Sequence, residues 1–131
     1  MNESIDFQYG SIVIENGIMK CSFYDLHELT LEITKHLVAK RIEHSNGVSY
    51  PCLFDISKIK HSTKEARDYL ANEGNELVTA SAILVESAVL KMAANFYVSV
   101  NKPVKPTRLF TDKQTALDWL HQFIESPATS S

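Results

Sequence analysis

The sequence of 131 residues lacks the residue clusters that mark several classes of protein. Its four glycines are scattered, so it has no glycine-rich phosphate loop, and no Gly-x-Ser-x-Gly segment indicates a hydrolase nucleophile. No two of its five histidines have the spacing of a zinc-binding helix. The sequence therefore indicates no catalytic residue, no metal ligand and no cofactor, although the members of a Ser-His-Asp set need not be neighbours in sequence.

The sequence also has no large excess of positive or negative charge and no long apolar run. The formal net charge is −3, which excludes the broad basic surface of a nucleic-acid-binding protein. Three basic residues, Lys35, Lys40 and Arg41, are accompanied by Glu32 and Glu43, which predicts a solvated helix face. No apolar run is long enough to span a membrane and no signal-peptide pattern opens the chain, so we expect a cytoplasmic protein.

Cysteine is scarce as well. Cys21 and Cys52 both lie in apolar, strand-like segments, where a free thiol behaves as a small hydrophobic side chain. Neither has neighbours that indicate a thiolate nucleophile. A chain of this length buries enough surface to fold without a disulfide or a structural metal. We predict a single domain at residues 1–125, followed by a flexible, small-polar tail at residues 126–131.

The first quarter of the chain predicts strands. Alternating apolar residues over residues 5–9 indicate a half-buried strand, and Asn16-Gly17 between two apolar runs indicates an antiparallel hairpin. Asp25, with Glu28 three residues later, predicts the start of a long first helix that ends at Asn46-Gly47.

After residue 50 the predicted elements alternate. Strands are predicted near residues 50–56, 79–85 and 107–111, and helices near residues 63–72, from about residue 87 to 100, and after Asp112. Alternation of strands and helices indicates a largely parallel sheet, to which the opening hairpin adds an antiparallel edge. The predicted fold class is α/β, with a mixed sheet and four helices.

The segment from Tyr50 to Leu70 is the most informative in the sequence. It predicts a buried strand, a short loop and a capped helix, in which either Ser62 or Thr63 is the cap and Glu65 has capping-box spacing from Ser62. A hydroxyl at a helix N-terminus is a candidate phosphoacceptor or anion-binding group. The alternative, which we favour, is that the hydroxyl is an ordinary helix cap.

Other residues of this segment are candidates for a partner or ligand surface. Asp55 and Ser57 follow the predicted strand at its carboxyl end, the edge where open α/β sheets bind ligands. The alternative, which we favour, is that Asp55 holds the turn through loop amides. His61 and Arg67 complete the candidate surface, although a single arginine is more often solvated or paired.

The last two predicted helices carry four aromatic residues, Phe96, Tyr97, Trp119 and Phe123. They predict either an apolar pocket between the sheet and these two helices or ordinary core packing. Their spacing with the other apolar residues of each helix favours the core.

Several segments together resemble a known family. Leu53-Phe-Asp-Ile-Ser57 resembles a central strand that ends in an Asp-Leu-Ser type sequence, and Phe110-Thr-Asp112 with Trp119-Leu120 resembles a closing strand and helix. With the order of elements, they are similar to the STAS or SpoIIAA-like domains, the fold of bacterial anti-sigma-factor antagonists. The similarity is to an uncharacterised bacterial branch that is distant from the antagonists themselves.

The resemblance implies a regulatory function. Ser62-Thr63 falls near the serine that anti-sigma kinases phosphorylate in the antagonists, but His61 and Lys64 stand where that motif has Asp and Gly. We expect a non-enzymatic regulatory module that binds a partner protein through residues 55–67. The alternative is a binder of a small apolar or lipid-like ligand. A homodimer is compatible with so small a domain, although no sequence feature requires one.

Overall fold

The computed structural model describes residues 3–124. Within them, the strands are β1 (Glu3–Phe7), β2 (Gly10–Glu15), β3 (Ile18–Phe23), β4 (Leu26–Leu29), β5 (Tyr50–Asp55), β6 (Ile59–Ser62), β7 (Val78–Leu84) and β8 (Thr107–Phe110). The helices are α1 (Leu31–Ser45), α2 (Lys64–Ala71), α3 (Ala88–Phe96) and α4 (Lys113–His121). A 3₁₀ turn at Glu73–Asn75 follows α2, and a π-helical segment at Tyr97–Asn101 follows α3. The predicted tail at residues 126–131 lies outside the described residues.

The main sheet has six strands in the order β1-β2-β3-β5-β7-β8. The pairs β1–β2 and β2–β3 are antiparallel, and the pairs β3–β5, β5–β7 and β7–β8 are parallel. Asn16 (φ 53°) and Gly17 (φ 80°) both have the left-handed conformation that a tight two-residue hairpin turn requires. The predicted mixed sheet with an opening antiparallel hairpin is therefore confirmed.

The start of the first helix was predicted wrongly. Leu26–Leu29 is a strand that pairs in parallel with β6, and α1 begins only at Leu31, where the Thr30 hydroxyl accepts from the Ile33 N–H at 3.3 Å. Residues 59–62, predicted as part of a loop, form its partner strand. This pairing joins segments some 33 residues apart, and such tertiary contacts override the local helix signal at Asp25.

The helices cover the main sheet unequally. Side chains alternate along β7, so that Ile83 packs with Ala94 of α3, whereas Leu84 packs with Leu120 of α4. Helices α3 and α4 therefore lie on opposite faces of the sheet. Helices α1 and α2 share the α3 face, where Leu37 and Ala66 pack against the strands. A pocket between the sheet and both of the last two helices, as considered from the sequence, is excluded by this arrangement.

One residue of the predicted solvated face of α1 is buried. Arg41 is 1% exposed, and its Nη2 donates hydrogen bonds to the carbonyl oxygens of Gly74 (3.0 Å) and Glu76 (2.7 Å). Lys35 and Glu43 are exposed as predicted. A buried cation needs hydrogen-bond acceptors, and these carbonyls supply them for Nη2, whereas the buried Nη1 has no partner within residues 3–124. Arg41 therefore ties α1 to the 3₁₀ turn.

Candidate functional site

An apolar cavity of about 120 Å³ lies between the sheet and helices α1, α2 and α3. Each helix contributes a side chain to its wall, namely Leu37, Leu70 and Ala94. The sheet contributes Phe54 and Ile83, among others. For comparison, an engineered apolar cavity of roughly 150 Å³ is large enough to bind benzene. The cavity therefore has room for an apolar group of about six carbon atoms.

One side of the cavity is polar and reaches the surface. Lys60, His61 and Ser62 of β6 and Arg67 of α2 all belong to its lining. Lys60 and His61 are exposed, whereas Ser62 and Arg67 are half-buried. The cavity lining, among the residues that the structure describes, includes no Asp or Glu. The mouth is therefore polar, and its charged side chains are basic.

Arg67 is held in a fixed position beside the cavity. Its Nη1 donates to the carbonyl oxygen of Ser62 at 2.7 Å and to the Ser62 hydroxyl at 3.1 Å. Its guanidinium carbon lies 5.8 Å from the centroid of the Phe96 ring, within range of a cation–π interaction. The Nε of Arg67 is buried and has no hydrogen-bond partner within residues 3–124.

The β6–α2 junction shows which hydroxyl caps the helix. The Thr63 side chain accepts from the Ala66 N–H at 3.1 Å, and the Thr63 N–H donates to the Leu29 carbonyl at 3.1 Å. Ser62 is the last residue of β6, and its hydroxyl accepts from Arg67. The cap is therefore Thr63, and the capping box considered from Ser62 to Glu65 is not the arrangement found.

Asp55 and Ser57 lie apart from the cavity. The Asp55 Oδ1 accepts from the Ser57 N–H at 3.0 Å and also from the Ser57 hydroxyl, so that Asp55 holds the turn after β5. Asp55 lines a different depression, with Lys20 and Lys113. The structure thus brings together His61, Ser62 and Arg67 from the predicted surface, but it does not bring Asp55 to them.

The four aromatic residues of the last two helices separate into three environments. Trp119 and Phe123 pack against the core on the α4 face, with ring centroids 4.8 Å apart, as the core interpretation predicts. Tyr97 lines the cavity, and burial raises the pKa of its phenol. Phe96 is 51% exposed, so its assignment to the core was wrong. Helical spacing alone could not distinguish these adjacent residues.

Cysteine thiols and metal-ligating side chains are the other potentially reactive groups in the described residues. Cys21 and Cys52 are buried free thiols, and burial raises the pKa of Cys52 to about 12 and that of Cys21 well above its usual value. Within residues 3–124, no group of three or more His, Cys, Asp or Glu side chains is placed to hold a metal ion.

Among the same residues, no helix combines the length and apolar character needed to cross a membrane.

A family model described as "Domain of unknown function (DUF7793)" matches residues 12–124. The chain belongs to the DUF7793 family. The cavity and the β6–α2 junction of this DUF7793 member fall within the matched region. Among curated proteins, none matches this chain.

The fold of this DUF7793 member is similar to that of a solved structure. The crystal structure is of an uncharacterized protein from the DUF3478 family of Shewanella loihica PV-4, described as having a SpoIIAA-like fold. The two chains superpose with a TM-score of 0.57 over 92% of each chain, at 17% sequence identity. The similarity confirms the SpoIIAA-like fold that the sequence resembles. It carries no function, because one fold serves many functions.

Proposed function

We propose that this protein is a non-enzymatic binder of a small, mostly apolar molecule, which occupies the cavity between the sheet and helices α1–α3. The single observation that carries the proposal is the cavity of about 120 Å³, which three helices and the sheet enclose with apolar side chains. Well-formed apolar pockets with a few polar groups at one side are the usual form of small-molecule sites. The sequence favoured a regulatory module over a ligand binder, and the cavity is our reason for proposing the ligand binder first.

The composition of the lining supports binding rather than catalysis. A histidine that acts as a general base is commonly oriented by a hydrogen-bonded carboxylate, as in the Ser-His-Asp triad. No carboxylate belongs to the described lining of the cavity. The two buried thiols are held in the protonated form, so they supply no nucleophile either.

The experiment is a titration of the ¹⁵N-labelled full chain with a neutral apolar probe, hexanamide, followed by amide NMR. We expect shifts at Leu70, Ile83 and Ala94, which line the cavity, and smaller shifts at Leu53 and Ala116, which pack on the opposite face. Saturable shifts confined to the first group support the proposal. No shift at probe concentrations of several millimolar, or equal shifts on both faces, would overturn it.

A second candidate is a phosphorylation-controlled interaction module, and one contact favours it. The Ser62 hydroxyl already accepts from Arg67 at 3.1 Å, so a phosphate on Ser62 would meet a guanidinium that is held in place. Such a phosphate would replace the present Ser62 contact and reorder the β6–α2 junction.

An exposed apolar stripe supplies a surface for a partner in this second candidate. Met92 is 73% exposed, and Phe96 and Val100 follow it at intervals of one helical turn. Phosphopeptide mapping of the segment around Ser62 and Thr63, in protein purified from its own cells, tests the candidate. Phosphate on Ser62 that is absent from Ser62→Ala supports it, and an unmodified segment under all growth conditions contradicts it.

A further inference from the structure

The cavity and Arg67 together define the ligand more narrowly than its apolar lining does. We infer that the ligand is an amphipathic carboxylate of about six carbon atoms, whose chain fills the cavity and whose carboxylate meets the Arg67 guanidinium at the mouth. The inference rests on the proposed function, because it concerns the same cavity.

The charged side chains that line the cavity are all basic. The lining includes the basic side chains of Lys60 and Arg67, with His61 beside them, and no carboxylate among its described residues. Asp68 lies outside the lining, where it pairs with Lys64 and is within electrostatic range of Arg67. The whole chain has a net charge of −3, so this local excess of positive charge is not a property of the surface in general. A cleft lined by one sign of charge raises the local concentration of ligands of the opposite sign.

Arg67 has a hydrogen-bond donor that no described residue uses. Its Nη1 is satisfied by Ser62, but its Nε is buried and has no partner in the described part of the chain. The ion pairs found in that part join Lys20 to Glu15 and Lys64 to Asp68, so neither uses Arg67. A buried N–H donor without an acceptor is unfavourable, and a ligand carboxylate would supply the acceptor.

The Arg67 guanidinium is preorganised. Ser62 and the Phe96 ring fix the guanidinium from two directions before any ligand arrives. A donor that is already fixed loses little side-chain freedom on binding, so more of its interaction energy appears as affinity. Leu70 lies three residues after Arg67, on the same face of α2, and also lines the cavity. The charged and apolar parts of one short ligand can therefore be bound side by side.

The length of the ligand follows from the volume. About 120 Å³ is slightly less than the roughly 150 Å³ that admits benzene, so the apolar part has about five or six carbon atoms. Long-chain fatty acids would extend beyond this volume.

The test compares hexanoate with hexanamide, which has nearly the same shape and no charge, by isothermal titration of the full chain. We expect hexanoate to bind about tenfold more tightly to the unmodified protein, as one charge-assisted hydrogen bond at a partly solvated site implies. Arg67→Gln should remove this preference and leave the affinity for hexanamide within about threefold. Arg67→Lys, which keeps the charge, should retain part of the preference and shows whether the fold tolerates substitution at this position.

Arg108→Gln is the matched control. Arg108 is exposed on β8 and also lies over an aromatic ring, 5.6 Å from the centroid of Phe110, but it does not line the cavity. Its substitution should leave the hexanoate preference unchanged. Equal binding of hexanoate and hexanamide to the unmodified protein would overturn the carboxylate inference and leave the apolar-ligand proposal standing. Failure of both probes to bind at millimolar concentration would overturn both.

Discussion

The cavity makes Ala94→Leu an informative substitution. Ala94 is buried on α3 and its side chain lines the cavity. The substitution adds about three carbon atoms, and burial of each contributes roughly 0.8 kcal/mol, or about 2.4 kcal/mol in total. Ordering the leucine side chain costs about 0.5–1 kcal/mol, and imperfect fit reduces the gain further. Because alanine and leucine are both good helix formers, we expect a net stabilisation of about 0.5–1.5 kcal/mol.

Ala116→Leu is the control, because it makes the same alanine-to-leucine substitution at a position in a packed core. Ala116 is completely buried on α4, within the core on the opposite face of the sheet. Extra volume in a packed core costs about 1–3 kcal/mol, so this variant should be destabilised. Urea unfolding of both variants and the unmodified protein measures the two free energies. Equal destabilisation by both substitutions would refute the cavity, because it would mean that the site beside Ala94 has no usable space.

Three further predictions concern two helix caps and the buried Arg41. Thr63→Ala should cost about 1 kcal/mol in urea unfolding, because the Ala66 N–H loses its acceptor, and an unchanged midpoint would contradict this. Hydrogen bonds from the Thr115 hydroxyl and N–H lower the pKa of Asp112, so the stability it contributes is complete above its ordinary pKa of about 3.9 and is lost as the pH falls through the lower folded value. Asp112→Asn should therefore flatten the acid limb of a plot of stability against pH, and an unaltered limb would count against the assignment. Arg41→Met should lose at least about 2 kcal/mol in urea unfolding, because two backbone carbonyls lose their donor, whereas a solvated arginine would leave stability unchanged.

Local signals in the sequence predicted most of the sheet and helices. The hairpin at Asn16-Gly17 and the cap at Asp112 are encoded by a few adjacent residues, and both are found in the structure. Strand β4 was missed because its partner lies in β6, more than thirty residues later. The burial of Arg41 has the same cause, since its carbonyl acceptors at Gly74 and Glu76 are 33 and 35 residues away.

The candidate site was predicted only in part. His61, Ser62 and Arg67 were candidates from the sequence, and all three line the cavity. Thr63, also a candidate, caps α2 and is not among the lining residues. The cavity was not identified, because a cavity is space left by the packing of three helices on a sheet, and no single segment encodes it. Phe96 was assigned to the wrong environment because helical spacing does not show which side of an apolar stripe faces the sheet. Met92, one turn before Phe96, is exposed with it, whereas Ala94 between them is buried.

The central claim is that the cavity holds a small molecule, and native mass spectrometry of the full chain purified from its own cells tests it most directly. The account predicts a mass increment from a small non-covalent ligand, which disappears when the protein is sprayed under denaturing conditions. The same increment should be missing from Ala94→Leu, whose side chain occupies part of the cavity. A bare mass for the unmodified protein under gentle conditions, identical to that of the variant, would contradict the account.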